Sequence, residues 1–423
     1  MKKGRVIVIG GGAAGTMAAG QAAAEGADVV LLEKMPRIGR KIAISGKGRC
    51  NLTNAGDIRD FVKYYPGNGK FLYSSLMQFN NIDLVNFFKQ YGVETKIERD
   101  GKVFPVKDDS EVVVKALESF LKANGVKVYL QTPASEVIIG DRKQVSGVRT
   151  KSGDIIQADA VIVAAGGASY PGTGSTGDGY DFARKLGHNV ISPLPALVPL
   201  KTLEQWPREL QGLTLKNVEA SLWIDDKEQA KAFGEMLFTH FGISGPIILT
   251  LSRNVAQALS KNRKAVIKVN LKPDLSFEQL EHIVQNYFQK NINKLLRNSL
   301  NDLLPRSIIP VVIKLAGINP DKAVNEITKE ERIKLISLLQ NLPINVVGTL
   351  GLTAAMVTSG GVDVKEVNPA TMESRLIKGL FWAGEVLDID GVTGGYNLQA
   401  AFATGYKAGK AAAKYVLTKE YGG

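Results

Sequence analysis

Short apolar runs separated by glycine-rich turns dominate the first part of the chain. Arg5 to Ile9 is a β-branched run typical of a strand that is buried on both faces. A glycine cluster follows it, and then an alanine-rich segment of good helix formers that reaches Glu25. Asp28 to Leu32 has the pattern of a second buried strand and is followed directly by Glu33. The pattern therefore predicts a β-α-β unit.

The chain up to about residue 190 continues to alternate helical and strand-like patterns. Met35 to Ala55 is predicted to be a loop. The spacing of apolar residues predicts helices at Asn81 to Tyr91 and Ser110 to Ala123, a strand at Val126 to Leu130, and a meander from Ala134 that returns to a buried strand at Ala160 to Ala165.

A proline-marked boundary at Ser192 to Pro195 begins a different region. Its pattern is strand-like to about Trp223, helical from near Ser244, and strand-like again at Ala265 to Leu271. Residues 276–341 are mostly helical in pattern, and Pro343 is predicted to end this helical block. Strand patterns return at Val346 to Leu350 and Phe381 to Ala383, before a helix from about Asn397 to Leu417. We therefore predict an α/β domain built from residues 1–192 and 344–423, with a β-rich insert at 193–275 and a helical insert at 276–343.

Composition narrows the class of protein. The 44 glycines among 423 residues indicate unusual demand for tight turns, and the single cysteine excludes an intrachain disulfide, a Cys-x-x-Cys pair or a multi-thiolate metal site. One cysteine also favours a reducing compartment, so we expect a cytoplasmic protein. The charge-free stretch from Val6 to Ala24 holds too much glycine and alanine for a membrane span or a secretory signal. No metal site is predicted.

The glycine cluster after the first strand matches Gly-x-Gly-x-x-Gly, with Gly10, Gly12 and Gly15 at the three positions. In this context the first glycine permits a tight turn, the second lets the backbone approach a pyrophosphate, and the third permits close helix–strand packing. Glu33 stands where a carboxylate can accept hydrogen bonds from both ribose hydroxyls of an adenosine. The unit is therefore predicted to bind FAD or NAD.

A second matching string runs from Gly172 to Gly177, but a proline precedes it instead of a buried strand. No acidic residue follows between Ala183 and Glu204 to serve a second ribose. We interpret the string as a loop that faces the substrate or the flavin and begins a helix at Asp178, with a plain structural turn equally open. The chain then has one dinucleotide site and no resident NAD(P)H domain.

Two further segments favour FAD over NAD. Residues 45–51 form a loop of small and polar residues, and residues 381–385 form a strand that ends in Gly384 and Glu385. Thr393 to Leu398 then opens the last helix. An acid after a strand can bind a ribitol hydroxyl, and a helix N-terminus can stabilise negative charge at one edge of a flavin.

These segments carry a resemblance to a known family. The strings at 39–41, 45–54, 169–179, 237–242, 384–388 and 394–399 resemble the BaiN-like family of bacterial FAD-binding oxidoreductases, in order and over nearly the whole chain. The resemblance implies a glutathione-reductase-like Rossmann domain that binds FAD, and an insert with a β-barrel-like part and a helical part. It also implies reduction of ring double bonds or an amine oxidase activity, without fixing a substrate.

The motifs and the resemblance together give a set of predicted FAD contacts. They are Gly10, Gly12, Ala14, Gly15, Glu33, Lys34, Arg40, Lys41, Ser45, Gly46, Gly48, Arg49, Asn51, Ala134, Gly166, Gly384, Glu385, Asn397 and Leu398. NAD(P)H is a possible transient electron donor.

Catalytic candidates are few, because a flavin itself carries the hydride and the protein need supply only positioning and one acid. His240 and Tyr170 are the candidate proton donors, each with a structural role as the alternative. Cys50, beside Arg49, is either a flavin-proximal thiol or a small buried residue. We expect substrate to be held between the flavin and the insert.

Charge leaves a second class of function open. The net charge is +12, and residues 261–341 hold 14 Lys and Arg against 8 Asp and Glu. We interpret this segment as a solvated helical face, because its cations alternate with apolar residues and acids and no aromatic residues flank a basic run. An RNA-acting or regulatory flavoprotein is the alternative to an enzyme of small molecules. The sequence does not determine the oligomeric state.

Overall fold

The computed structural model describes residues 4–419, which divide into two compact units, each with its own hydrophobic core. The second unit is Pro195–Ala355, and the first contains the described residues on either side of it. The chain returns to the first unit at residue 356 rather than at the predicted 344, because Leu342–Thr349 is a strand of the second unit.

A parallel five-stranded sheet forms the centre of the first unit. The strands of this unit are β1 (Arg5–Ile9), β2 (Asp28–Leu32), β3 (Thr53–Asn54), β4 (Thr95–Ile97), β5 (Lys102–Pro105), β6 (Lys127–Tyr129), β7 (Ala134–Gly140), β8 (Gln144–Thr150), β9 (Ile155–Gln157), β10 (Ala160–Val163), β11 (Val190–Ala196), which runs past the boundary, β18 (Val357–Val362) and β19 (Leu380–Trp382). The parallel sheet has the order β19-β10-β1-β2-β6. Smaller sheets are β3-β5-β4, β7-β8-β9 and β11-β18.

The described part of the first unit also contains α-helices, of which the first and the last pack against the parallel sheet. They are α1 (Ala13–Ala24), α2 (Arg40–Ile44), α3 (Gly69–Gln78), α4 (Asn81–Gln90), α5 (Glu111–Ala123), α6 (Asp178–Lys185) and α12 (Tyr396–Lys419). The prediction of a loop over Met35 to Ala55 was wrong in part, because that segment contains α2 and β3. Gly39, in the left-handed region with a φ of 69°, turns the chain into α2, and such a local turn leaves no periodic signal.

The second unit contains a closed antiparallel barrel of order β12-β15-β14-β13-β16-β17. Its strands are β12 (Leu200–Thr202), β13 (Thr214–Ile224), β14 (Lys227–Thr239), β15 (Gly242–Ser244), β16 (Ala265–Asn270) and β17 (Leu342–Thr349), and its helices are α7 (Trp206–Glu209), α8 (Pro246–Ser260), α9 (Phe277–Lys290), α10 (Ile309–Ala316) and α11 (Lys329–Gln340). Pro343 lies inside β17, opposite Lys268, and does not close the helical block. The α/β fold with a barrel-like and helical insert is confirmed.

Helices α1 and α12 pack with their backbones in close contact. A Cβ atom placed on Gly405 would lie 2.3 Å from the carbonyl oxygen of Ala14, and one on Gly409 would lie 2.3 Å from that of Ala18. Both distances are far below a normal contact, so neither glycine of α12 can carry a side chain without moving a helix. Small residues in both helices therefore bring the two ends of the described chain together.

We predict that Gly405→Ala destabilises the protein by about 1–3 kcal/mol, because the added methyl group must push α12 away from α1. Thermal unfolding of the purified variant measures the effect. Gly172→Ala is the matched control, since a Cβ atom at Gly172 meets no other atom within 4 Å. Equal melting temperatures for the two variants would contradict the close packing.

Candidate functional site

The glycine turn after β1 leaves an open helix start. Gly10 has a φ of +105°, and a Cβ atom on Gly15 would lie only 1.8 Å from the carbonyl oxygen of Gly10. A Cβ atom on Gly12, in contrast, would meet nothing within 4 Å. Gly12 is the N-cap of α1, which has no side-chain cap and no acid in its first turn. The first N–H groups of α1 are therefore available to an anion.

Glu33 follows β2 and is fixed beside this turn. Its Oε2 accepts a hydrogen bond from the backbone N–H of Gly11 at 2.6 Å, and its Oε1 accepts one from that of Met35 at 2.7 Å. The residue is only 9 % exposed. Each carboxylate oxygen keeps a second lone pair, so the carboxylate can still accept hydrogen bonds from a pair of ribose hydroxyls.

The loop with the second glycine pattern lies against the residues that follow Glu33. Lys34 Nζ donates to Thr176 Oγ1 and to Asp178 Oδ2, the latter at 2.7 Å, and a Cβ atom on Gly174 would lie 2.8 Å from Met35. Burial would raise the pKa of Asp178, but hydrogen bonds from Lys34 and Thr176 hold it below its usual value. These contacts hold the loop next to the residues that follow β2, close to Glu33 in the sequence.

A second polar cluster joins four segments that are distant in the sequence. Lys41 Nζ lies 2.8 Å from Glu385 Oε2 and 2.6 Å from Ser169 Oγ. Glu385 Oε1 accepts hydrogen bonds from the backbone N–H of Thr358 at 2.8 Å and from Ser169 Oγ at 3.1 Å. The residues Lys41, Ser169, Thr358 and Glu385 are called the Lys41–Glu385 cluster below. Sequence reasoning missed Thr358, whose signal is a short run of small residues at 358–361.

The predicted loop after α2 turns sharply, with Gly46 and Gly48 at positive φ. Arg49 pairs with Glu98 and Asp108 and lies 4.2 Å from the Phe104 ring centroid, so its guanidinium is occupied by surface carboxylates. Ser45 Oγ donates to the carbonyl of Ile42. An FAD contact from Arg49 would therefore use its backbone.

Cys50 is fully buried, and burial raises the pKa of its thiol to about 12. Its thiol is therefore protonated at neutral pH, and Arg49 does not activate it. Asn51 follows it with a side-chain oxygen, Oδ1, that is buried and has no hydrogen-bond partner among residues 4–419. A buried acceptor without a donor is costly, and a bound ligand with a donor group would satisfy it.

The segment before α12 lies beside the start of α1. Gly384 has a φ of +78°, and a Cβ atom on it would lie 2.7 Å from that of Ala14. The side chain of Asn397 both accepts from and donates to the backbone of Gly391 at 2.8 Å. Asn397 thus closes the loop that precedes α12.

The remaining predicted residues are dispersed. Ala134 is buried at the start of β7, Gly166 has a φ of +74°, Arg40 begins α2, and Leu398 packs against the core of the first unit. Tyr170 precedes the loop at 171–174 with a φ of +51°, and its carbonyl accepts from the N–H and the hydroxyl of Thr173. His240 is exposed in the turn between β14 and β15 of the second unit.

Comparison with known proteins identifies the family. The model of the HI0933-like protein Rossmann domain matches residues 4–411. The chain belongs to this family. A 3-dehydro-bile acid delta(4,6)-reductase from Clostridium scindens is 34 % identical over 97 % of this chain and 99 % of its own. A ribosomal RNA dihydrouridine synthase from Haemophilus influenzae is 33 % identical over 95 % of this chain and 96 % of its own.

Solved structures agree on the fold. The 3-ketosteroid delta1-dehydrogenase of Sterolibacterium denitrificans matches with a TM-score of 0.52 and 14 % identity, covering 97 % of this chain and 99 % of its own. Membership of this family confirms the BaiN-like resemblance and that this chain is an FAD-dependent oxidoreductase. No helix among residues 4–419 is long and apolar enough to cross a membrane.

The residues of the first unit fit FAD. The open space at Gly12, the uncapped start of α1 and the carboxylate of Glu33 suit a pyrophosphate and a ribose, and the unpartnered Oδ1 of Asn51 suits a donor group. Between residues 4 and 419 there is no group of three or more His, Cys, Asp or Glu that could hold a metal ion. We propose the predicted contacts as the binding residues on this basis.

We predict that Glu33→Gln weakens FAD binding by about tenfold, because an amide offers one acceptor oxygen where the carboxylate offers two charged ones. Titration of the apoprotein with FAD, followed by flavin fluorescence, measures the dissociation constant. Glu136→Gln is the control, since Glu136 is exposed and pairs with Arg149 on the β7-β8 hairpin. Equal affinities for both variants would remove Glu33 from the site.

Proposed function

We propose that this enzyme reduces a carbon–carbon double bond that is conjugated with a carbonyl group. The observation that carries the proposal is a chemistry shared by two relatives that match nearly the whole chain. A 3-dehydro-delta(4,6) bile acid is a dienone, and formation of dihydrouridine saturates the uracil double bond next to a carbonyl. In both substrates the carbonyl makes the far carbon of the double bond able to accept a hydride.

The reaction adds one hydride to the carbon β to the carbonyl and one proton to the α carbon. FAD supplies two-electron hydride exchange when it is bound. We propose NAD(P)H as the reductant, so that substrate, NAD(P)H and one proton give the saturated product and NAD(P)⁺. Tyr170 and His240 stay as candidate donors of that proton.

The Lys41–Glu385 cluster supports this function by holding the site together. Lys41 lies on α2, Ser169 lies in the loop after β10, and Glu385 follows β19. Their hydrogen bonds connect α2 to the loop after β10 and to the turn after β19, and each of these segments contains a proposed FAD contact. Precise positioning of a flavin against a substrate carbon is what hydride transfer requires of the protein.

A uridine in RNA is the second candidate substrate, because a relative named for ribosomal RNA is about as similar as the bile acid reductase. The sequence pI of about 9.4 is compatible with it. Against it, several cations of the helical segment are paired within the second unit: Arg297 with Asp321, Lys322 with Glu331 and Arg332 with Glu281. We therefore propose a small molecule as the first candidate substrate. We also propose the cytoplasm as the compartment, because a single cysteine is typical of a reducing environment.

We predict that the reduced holoenzyme is reoxidised without oxygen by a conjugated enone. The flavin is reduced anaerobically and then mixed with a 3-oxo-4,6-diene bile acid, and the return of flavin absorbance is followed. The saturated 3-oxo bile acid is the control and is expected to give no reoxidation.

Two further arms separate the alternatives. Reoxidation by a uridine-containing ribosomal RNA fragment, with binding that weakens steeply as salt rises, would favour the RNA substrate. Bleaching of the oxidised flavin by primary amines, with no reaction of any enone, would contradict the proposal and favour an amine oxidase.

A further inference from the structure

Two stacked tyrosines stand at the start of α12. The ring centroids of Tyr64 and Tyr396 are 4.4 Å apart, and their planes differ by 15°. Tyr396 is 6 % exposed, whereas Tyr64 is 41 % exposed. Tyr396 covers one face of the Tyr64 ring, so the exposed part of Tyr64 is not that face.

Further contacts surround this pair. The carbonyl of Tyr64 accepts a hydrogen bond from the N–H of Val392 at 3.0 Å, and the hydroxyl of Tyr65 donates to the carbonyl of Tyr396 at 2.8 Å. Phe61 meets the Tyr396 ring edge-on, with centroids 5.0 Å apart. The backbone of Tyr64 is therefore bonded to the loop at 391–396, and its ring packs on a Tyr396 side chain that has aromatic contacts of its own.

The same loop borders the other segment that the sequence assigns to the flavin. A Cβ atom on Gly395 would lie 2.3 Å from the carbonyl oxygen of Thr53, and Asn54 Nδ2 donates to the carbonyl of Gly394 at 3.3 Å. Thr53 and Asn54 directly continue the 45–51 loop through Leu52. Tyr64 thus stands where the two proposed flavin segments meet.

We propose that Tyr64 is a substrate-binding residue whose exposed ring stacks on the flat conjugated ring of the substrate. The proposal rests on the function proposed above and adds a residue that the sequence did not indicate. A tyrosine has few rotatable bonds, so a ring already fixed by Tyr396 loses little conformational entropy when it binds. A steroid enone ring and a uracil base both present a flat conjugated face, so the Tyr64 ring can stack on either of them.

The test compares Tyr64→Ala, Tyr64→Leu and Tyr64→Phe with Tyr73→Ala in the holoenzyme. Tyr73 is the control because it lies on α3 of the same unit and is 51 % exposed. Loss of one stacking contact is expected to raise KM for the 3-oxo-4,6-diene bile acid about tenfold in the Ala and Leu variants, with kcat within about twofold. Tyr64→Phe and Tyr73→Ala are expected to keep the wild-type KM and kcat.

A parallel arm uses a uridine oligoribonucleotide, and a rise in KM for only one of the two probes identifies the source of the stacked ring. FAD content is measured for every variant and is expected to stay at the wild-type level. Loss of FAD without a change in KM would overturn the proposal, because Tyr64 would then support the cofactor. An unchanged KM in the Ala and Leu variants would overturn it too. Failure of wild-type enzyme with both probes would instead refute the proposed reaction.

Discussion

The close contact between α1 and α12 is the constraint on which the first unit depends. Because Gly405 and Gly409 have no side chains, α12 lies directly on the backbone of Ala14 and Ala18. This contact places the segment at 384–398 next to the glycine turn after β1, as the short distance between Gly384 and Ala14 shows. The proposed dinucleotide site requires this packing, because the anion-binding turn lies near the start of the chain and the carboxylate of Glu385 lies near its end.

Charge pairing then fixes the loops around that framework. Glu33 is held by backbone N–H groups, Lys34 ties down the loop that ends at Asp178, and Lys41 connects to Glu385. The side chains of Lys41 and Glu385 are 27 % and 22 % exposed, so their pair is screened by water and contributes modestly to stability. The pair matters for alignment, because it joins α2, near the start of the sequence, to the segment after β19, near its end.

Local patterns predicted the elements that form from local contacts. The β1-α1-β2 unit and Glu33 follow from a buried β-branched run, a glycine turn and an acid at the end of the next strand. The Lys41–Glu385 pair joins residues 344 positions apart, and no period or spacing in the sequence reports such a contact. For the same reason the prediction that Pro343 ends a helical block was wrong. Pro343 lies in a barrel strand, whose structure depends on pairing with residues distant in the sequence. The stack of Tyr64 on Tyr396 could not be predicted either, since the two residues are distant in the sequence and no motif links them.

We propose that the first unit holds one FAD through the turn at Gly10 to Gly15 and the carboxylate of Glu33. The most direct measurement is the visible spectrum of the purified protein after reconstitution, with the released nucleotide identified and counted per chain. We expect a yellow protein that carries one FAD per chain. A colourless protein after reconstitution, or a bound nucleotide without the adenosine half, would contradict it.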